Sequence, residues 1–247
     1  MRKFLKKIIH LWPWPLTVNE RYDRQTNAIL KNVLKPDSIC VDVGAYHGEI
    51  LRLMMSYAPN GTHIAFEPVP EEYILLRDNF NNKATVYPYA LGNTNTETTF
   101  NHVVSNPTYS GLQQRQYKQE EIINQIIVQV RRMDDIIPPA TPVHLIKIDV
   151  EGGEYDVFLG AKRLLEQWHP YLIFEHGIGG ADKYGVNPTD VYNMLVGQLG
   201  YTITLMSDFL KDDHALGFTP EEFEDQFWKG KNCYFLAYYY PSKNSRL

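Results

Sequence analysis

Residues 38–68 read SICVDVGAYHGEILRLMMSYAPNGTHIAFEP, and the order of their parts decides the fold. SICVDVGA (38–45) and THIAFEP (62–68) are short, apolar and rich in β-branched or aromatic residues, the composition of buried strands. Between them a glycine turn opens a helical segment, EILRLMMSY (49–57). Strand, turn, helix and strand in this order build a parallel sheet wrapped by helices.

The turn carries chemistry as well. Gly44 and Gly48 let a ligand approach backbone N–H groups where a side chain would collide. Their spacing is GxxxG with Tyr46 in the crowded middle, and no lysine follows Gly48, so neither a dinucleotide fingerprint nor a Walker loop is present. Asp42 at the strand end would repel a pyrophosphate and suits the ammonium group of an amino-acid ligand. Glu67 closes the next strand 25 residues later (67 − 42 = 25), before the chain turns at Pro68. An acid there in a doubly wound sheet accepts the ribose hydroxyls of a nucleoside. The expectation is a nucleoside-binding crevice.

Outward from this unit the alternation continues. ATVYPYAL (84–91), VHLIKIDV (143–150), YLIFEHG (171–177), YTITLMS (201–207) and NCYFLAYYY (232–240) bring the strand candidates to seven. Val157, Ala161, Leu164, Leu165 and Trp168 share one helical face, as do Val191, Leu195 and Leu199. Asn187 with Pro188, and Thr219 with Pro220 and Glu222, mark two helix starts. Residues 93–132 break the rhythm: ETTFNHVV and IIVQVRR read as antiparallel strands flanking the polar run SNPTYSGLQQRQYKQEE. This is expected to be an insertion on the open side of the sheet, within reach of a substrate. Residues 1–35 are expected to form an N-terminal cap and 36–247 one domain carrying that insertion.

Composition narrows the function classes. A hydrophobic share of 44% supports a sizeable core, and 24 Lys plus Arg against 29 Asp plus Glu give a net charge of −5, so no global positive field attracts nucleic acid. Two cysteines without metal-finger spacing fit a reducing, cytoplasmic setting. The basic, aromatic start MRKFLKKIIHLWPWP lacks the apolar run of a signal peptide, and no stretch is long enough to span a bilayer. Peripheral contact of that start with an anionic membrane surface remains open.

VDVGAYHGE (41–49), AFEPVPEEYILLRDNF (65–80), the ALGN turn (90–93) and LIKIDVEGGEYDVFLGAKRLLEQWHPYLIFEHG (145–177) resemble the FkbM family of class I S-adenosylmethionine-dependent methyltransferases. The resemblance implies an α/β, Rossmann-like sheet of seven strands in the order 3-2-1-4-5-7-6, the last antiparallel, with helices on both faces. It implies S-adenosylmethionine as cofactor and methyl transfer to a hydroxyl oxygen of a small molecule, sugar or natural-product scaffold. Matched by position, Asp42, Gly44, Ala45 and Gly48 resemble the methionine cradle, Glu67 the ribose-binding acid, and Ala90 with Leu91 the turn near the adenine. Tyr46 stands where the family usually carries Asn, so its hydroxyl or ring is expected to substitute.

Methyl transfer from a sulfonium needs an oriented acceptor and a group that takes its proton. The fourth strand ends in Asp149 and Glu151 and the fifth in Glu175 and His176, where open α/β sheets bind ligands. His176 is the expected base because imidazole titrates near neutrality. Asp149 and Glu151 are expected to orient the acceptor or the imidazole, with Asp149 also reaching the cofactor, while Glu154 complements a helix dipole. Asp149, Glu175 and His176 also form an oxygen and nitrogen set that could hold Mg²⁺ or another divalent ion; no HxxxH spacing favours it, and the sequence does not decide the requirement. Two other classes compete: an NAD-linked oxidoreductase, which Glu67 permits and the GxxxG spacing disfavours, and a noncatalytic nucleoside-binding module. A nucleic-acid amino-methylase would carry [DNS]PP[FY], whereas Val150 and Glu151 follow Asp149.

Overall fold

The computed structural model describes residues 17–81, 83–115, 117 and 119–240. The basic N-terminal residues 1–16, on which membrane contact was considered, lie outside the described residues. Ten strands are described: β1 (Ile39–Val43), β2 (His63–Phe66), β3 (Ala84–Tyr87), β4 (Tyr89–Leu91), β5 (Thr96–Val103), β6 (Ile123–Arg131), β7 (Val143–Ile148), β8 (Tyr171–Glu175), β9 (Thr202–Thr204) and β10 (Tyr234–Tyr238). Seven of them form one sheet in the order β3-β2-β1-β7-β8-β10-β9. Counted within that sheet along the chain, this is 3-2-1-4-5-7-6. β10 runs antiparallel to both β8 and β9, whereas β3, β2, β1, β7 and β8 are mutually parallel.

One expected strand is divided. ATVYPYAL breaks at Pro88, which has no N–H to give to a ladder. β3 stays at the edge of the main sheet, and β4 leaves it to pair parallel with β6. β6 pairs antiparallel with β5 from Thr96↔Val130 to Val103↔Ile123, so a second sheet of order β4-β6-β5 stands beside the first.

Alternation along the strands assigns the two faces of the main sheet. Val41, Val43, Ile146, Ile148, Leu172, Phe174 and Phe235 pack with Val157, Leu164, Leu165, Val191, Leu195 and Phe223 on one side. Cys40, Leu145, Ile173 and Leu236 pack with Ile29, Leu30, Met54 and Met206 on the other. Ile29 and Leu30 belong to the helix Val18–Val33, capped at its start by Thr17, whose hydroxyl accepts from the Glu20 N–H at 3.1 Å. The single helical face expected over 157–168 is instead two helices, Glu154–Gly160 and Lys162–Trp168, that meet at Ala161. Gly160 lies against Gly92, where an added Cβ would sit 2.0 Å from the Gly92 carbonyl oxygen. The face of Val191, Leu195 and Leu199 starts at an Asn187–Asp190 capping box but passes from an α-helix, Pro188–Tyr192, into a π-turn, Asn193–Gln198. Thr219 and Glu222 close the expected capping box of the helix Pro220–Trp228. Among the described residues no helix is long and apolar enough to cross a membrane.

Candidate functional site

A cavity of about 510 Å³ opens at the carboxyl ends of β1, β2, β7 and β8. Parallel strands end there with their last side chains directed over the edge, which is why open α/β sheets place ligands at this end. Its wall includes Asp42, Gly44, Ala45, Tyr46, Glu67, Pro68, Ala90, Leu91, Asp149 and Glu151. All of these were singled out from sequence. Two other expected residues, Gly48 and His176, are not brought to it.

Asp42 is 1% exposed, and neither of its carboxylate oxygens has a hydrogen-bond partner of normal geometry. Burial pushes its pKa up to about 6, against the pull of Lys147 and the Leu51 N–H. A buried carboxylate without a donor is costly, so this oxygen pair calls for a cationic or N–H ligand. Glu67 is also buried but braced: Oε2 accepts from the Tyr46 N–H at 2.8 Å and Oε1 from the Val69 N–H at 2.9 Å. Burial outweighs those bonds and lifts its pKa to about 7. Each Glu67 oxygen retains acceptor capacity for a hydroxyl from the cavity.

The glycine turn differs from the expected backbone cradle. The N–H groups of Gly44 and Ala45 both donate to the Phe66 carbonyl at 3.1 Å, that of Tyr46 goes to Glu67, and that of Gly48 to the Ala45 carbonyl at 2.7 Å. These four are spent within the protein, consistent with the poor support for phosphate binding. Gly44, at φ +74°, is required for packing, since a Cβ would fall 2.0 Å from the Asp149 carbonyl oxygen. Gly48, at φ +71°, presses on Phe80 and Leu76, where a Cβ would come within 2.4 and 2.6 Å. Its role is to seat the helix Glu49–Tyr57 on the helix Pro70–Asn79, not to meet a ligand. Tyr46, at φ +46°, stacks its ring on His47 at 3.7 Å, and His47 Nε2 pairs with Glu72 at 3.1 Å.

His176 does not face the cavity. It follows Glu175, and successive residues at a strand end point to opposite faces. Glu175 therefore enters the cavity while His176 turns to the Phe223 and Phe227 rings of the helix Pro220–Trp228, with centroids 5.7 and 4.8 Å away. Only 1% exposed, His176 has its pKa lowered to about 4 by burial, and it leaves Nε2 without a partner. The base expected at His176, and its place in a metal-binding set, are corrected: the imidazole is neutral and on the wrong face.

A charged cluster occupies the β7 and β8 side instead. Asp149, Glu151 and Glu175 each bring one carboxylate oxygen within 4.8 Å of the others. The protein supplies cations to this cluster. Lys147 Nζ donates to Asp149 Oδ2 at 3.1 Å, the Tyr234 hydroxyl donates to the same oxygen, and Arg115 pairs with Glu151. Burial pushes the Asp149 pKa up, but Lys147 and Tyr234 reverse this and hold it below the ordinary value. Burial likewise works against the Lys147 ammonium, and Asp149 with Asp42 more than restores it. Glu154 is buried behind the cluster and accepts from the N–H groups of Val150 and Gly152, both at 3.1 Å, so it braces the turn more than it complements a dipole.

Sequence reasoning placed the insertion, with Tyr109, Tyr117 and Tyr184, within reach of an acceptor, but it did not single out Arg115, Tyr234 or the helix Val18–Val33. Arg115 arrives from the loop between β5 and β6, where its Nε donates to the Gly179 carbonyl at 3.0 Å. Pro107, Tyr109, Ser110 and Leu112 of the same loop line the cavity, with the Arg115 guanidinium 5.6 Å from the Tyr109 ring centre. Tyr234 comes from β10, paired with Glu175 across the antiparallel ladder. Asn19, Tyr22 and Thr26 come from the helix Val18–Val33. A Tyr two residues after a strand-opening Asn and a lone Arg in a polar loop carry no local signal.

This sheet order, with an antiparallel strand inserted before the edge, defines the class I methyltransferase fold. The chain is similar to the crystal structure of methyltransferase FkbM from Methylobacillus flagellatus KT, with TM-score 0.51 and 21% identity over 83% of this chain and 44% of that one. It is also similar to precorrin-6Y C5,15-methyltransferase from Geobacter metallireducens GS-15 (TM-score 0.43, 14% identity, 74% of this chain and 73% of that one). An rRNA methylase from Streptococcus thermophilus matches at TM-score 0.44 and 10% identity over 86% of this chain and 92% of that one. The model of the methyltransferase FkbM domain matches residues 42–203, and the chain belongs to that family. It spans less than half the length of the Methylobacillus structure it matches. No curated protein matches it.

Proposed function

We propose that this protein is an S-adenosylmethionine-dependent methyltransferase acting on a hydroxyl oxygen of a small molecule, saccharide or natural-product scaffold. The observation that carries the reading is Asp42, a buried carboxylate with two unsatisfied oxygens, standing in one cavity with Glu67 on the adjacent parallel strand. An α-ammonium group would satisfy Asp42 and ribose hydroxyls would reach Glu67, with Ala90 and Leu91 of β4 giving the apolar contact for a base. The bound cofactor supplies a methyl group activated by a positive sulfur. The protein's part is then orientation, exclusion of water and removal of the acceptor's proton.

Asp149 orients the acceptor from the end of β7, and Glu151 holds Arg115 over the opening. In this reading residues 1–35 cap the domain, 36–247 carry the activity, and the 93–132 insertion supplies the acceptor wall through Tyr109 and Arg115. An aromatic ring beside a guanidinium suits a polar, hydroxylated acceptor, and the net charge of −5 does not suit nucleic acid. No divalent ion is needed by this reading, and the setting is cytoplasmic.

Titration calorimetry with S-adenosylmethionine, S-adenosylhomocysteine and NAD, each with EDTA and with Mg²⁺, tests it. Binding of the two sulfur nucleosides alone, unaffected by EDTA, is expected. Binding of NAD, or of none of the three, overturns it.

A further inference from the structure

Glu175 has no role in the reading above, yet its surroundings are specific. Its carboxyl lines the cavity and brings one oxygen within 4.8 Å of carboxylate oxygens of both Asp149 and Glu151. Carboxylates crowded this closely in a poorly solvated site repel one another, which drives one of them toward its protonated form. Asp149 already receives the Lys147 ammonium and the Tyr234 hydroxyl, both of which favour its ionised form. Glu175 is therefore the member driven toward its protonated form. The other groups that face Glu175 reinforce this: Glu154 behind it and Glu151 beside it are acidic, and Cys233 and Tyr234 on the β10 side are neutral. Two cations, Arg115 and Lys147, oppose them. Burial, Asp149 and Glu154 push the Glu175 pKa well above that of an ordinary carboxyl.

A protonated Glu175 cannot take a proton from an acceptor hydroxyl. Resting on the cofactor reading above, we propose that Glu175 is the catalytic base and that it is armed by the cofactor's own charge, releasing its proton when the sulfonium cation enters the cavity. A positive charge in a poorly solvated site stabilises a nearby carboxylate. In the transfer the acceptor oxygen bonds to the methyl carbon, and the carbon–sulfur bond breaks with its electron pair kept by sulfur. The hydroxyl proton passes to the Glu175 carboxylate. The product nucleoside is neutral at sulfur, so Glu175 retains that proton, which is its state before the next cofactor arrives.

The test needs no acceptor. S-adenosylmethionine and S-adenosylhomocysteine share the ammonium, carboxylate and ribose that meet Asp42 and Glu67, and they differ in the sulfonium charge. Calorimetric titrations near neutral pH, in two buffers of different ionisation enthalpy, count the protons released by each ligand. The expected result is up to about one more proton released per S-adenosylmethionine than per S-adenosylhomocysteine, and loss of that difference in Glu175→Gln. Equal release by the two ligands, or a difference that persists in Glu175→Gln, overturns the proposal. A measurement on the unmodified protein stands beside it. The affinity for S-adenosylmethionine relative to S-adenosylhomocysteine should rise with pH, by at most about tenfold per unit, and level off above the Glu175 pKa. A ratio flat with pH overturns the proposal, whereas failure of both nucleosides to bind overturns the cofactor reading on which it rests.

Discussion

The two sides of the cavity treat their carboxylates in opposite ways. On the β1 and β2 side, Glu67 is held by two backbone N–H groups, and Asp42 receives no hydrogen bond of normal geometry. On the β7 and β8 side, Asp149 and Glu151 are met by side chains from distant segments, namely Tyr234, 85 residues away, and Arg115 from the insertion. The first side is incomplete until a ligand brings positive charge. The second is already neutralised and is arranged to hold and pass a proton. A local motif encodes the first, and only the assembled sheet produces the second.

The sharpest way to break this contrast is at the seam between the sides. Gly44 lets the β1 turn lie on the end of β7, and Gly44→Ala combines a left-handed backbone with a Cβ 2.0 Å from the Asp149 carbonyl oxygen. A loss of about 2 to 5 kcal/mol is expected from strain and overpacking together. A denaturant midpoint equal to wild type would show that the two sides do not depend on this approach.

The unsatisfied state of Asp42 predicts a pH signature. Its folded pKa, about 6, is raised above the unfolded value by burial. A raised carboxyl contributes stability that is present below the unfolded pKa and is lost as pH rises through the folded one. Asp42→Asn should therefore gain on wild type between about pH 4 and 6 and then level off, by roughly 2 to 3 kcal/mol in all. Urea unfolding of both proteins across that range measures it, and parallel stability curves would mean that Asp42 is not under strain.

Glu67→Ala removes the brace of the Tyr46 and Val69 N–H groups along with the acceptor for ribose. Affinity for S-adenosylhomocysteine should fall by about 1 to 3 kcal/mol in calorimetry. Unchanged affinity would remove Glu67 from the cofactor side. The smallest effect belongs to His176, which the sheet turns away from both sides. His176→Phe preserves an aromatic ring among Phe223 and Phe227 and deletes an unsatisfied buried nitrogen, so nucleoside affinity should stay within about 0.5 kcal/mol of wild type. A larger loss would falsify its assignment as a core residue.

The legible parts of the molecule share a reason. The strand and helix periods, the turn residues and the Asp42 to Glu67 spacing are local, and local pattern is what strand alternation and helix periodicity impose on a chain. Where the pattern misled, a tertiary contact had intervened. Pro88 split one apolar run between two sheets, and the meeting of Gly160 with Gly92 coincides with a broken helical face. His176 was misassigned because chemical type was weighed without strand parity. Glu175 and His176 are neighbours in sequence, yet one faces the cavity and the other Phe227.

By itself the sequence determined the α/β class, the seven-stranded order through its family motifs, and the carboxylates at the ends of β1 and β2, because these depend on residues within one strand–turn–helix–strand unit. The tertiary structure alone decided which acid on β8 reaches the cavity, where Arg115 and Tyr234 bring their charge and hydroxyl, and that the Asp149 pKa is held down while that of Glu175 is pushed up. Protonation in a buried cluster depends on desolvation and on every neighbouring charge, and those neighbours come together only when segments as far as 85 residues apart along the chain close on one another.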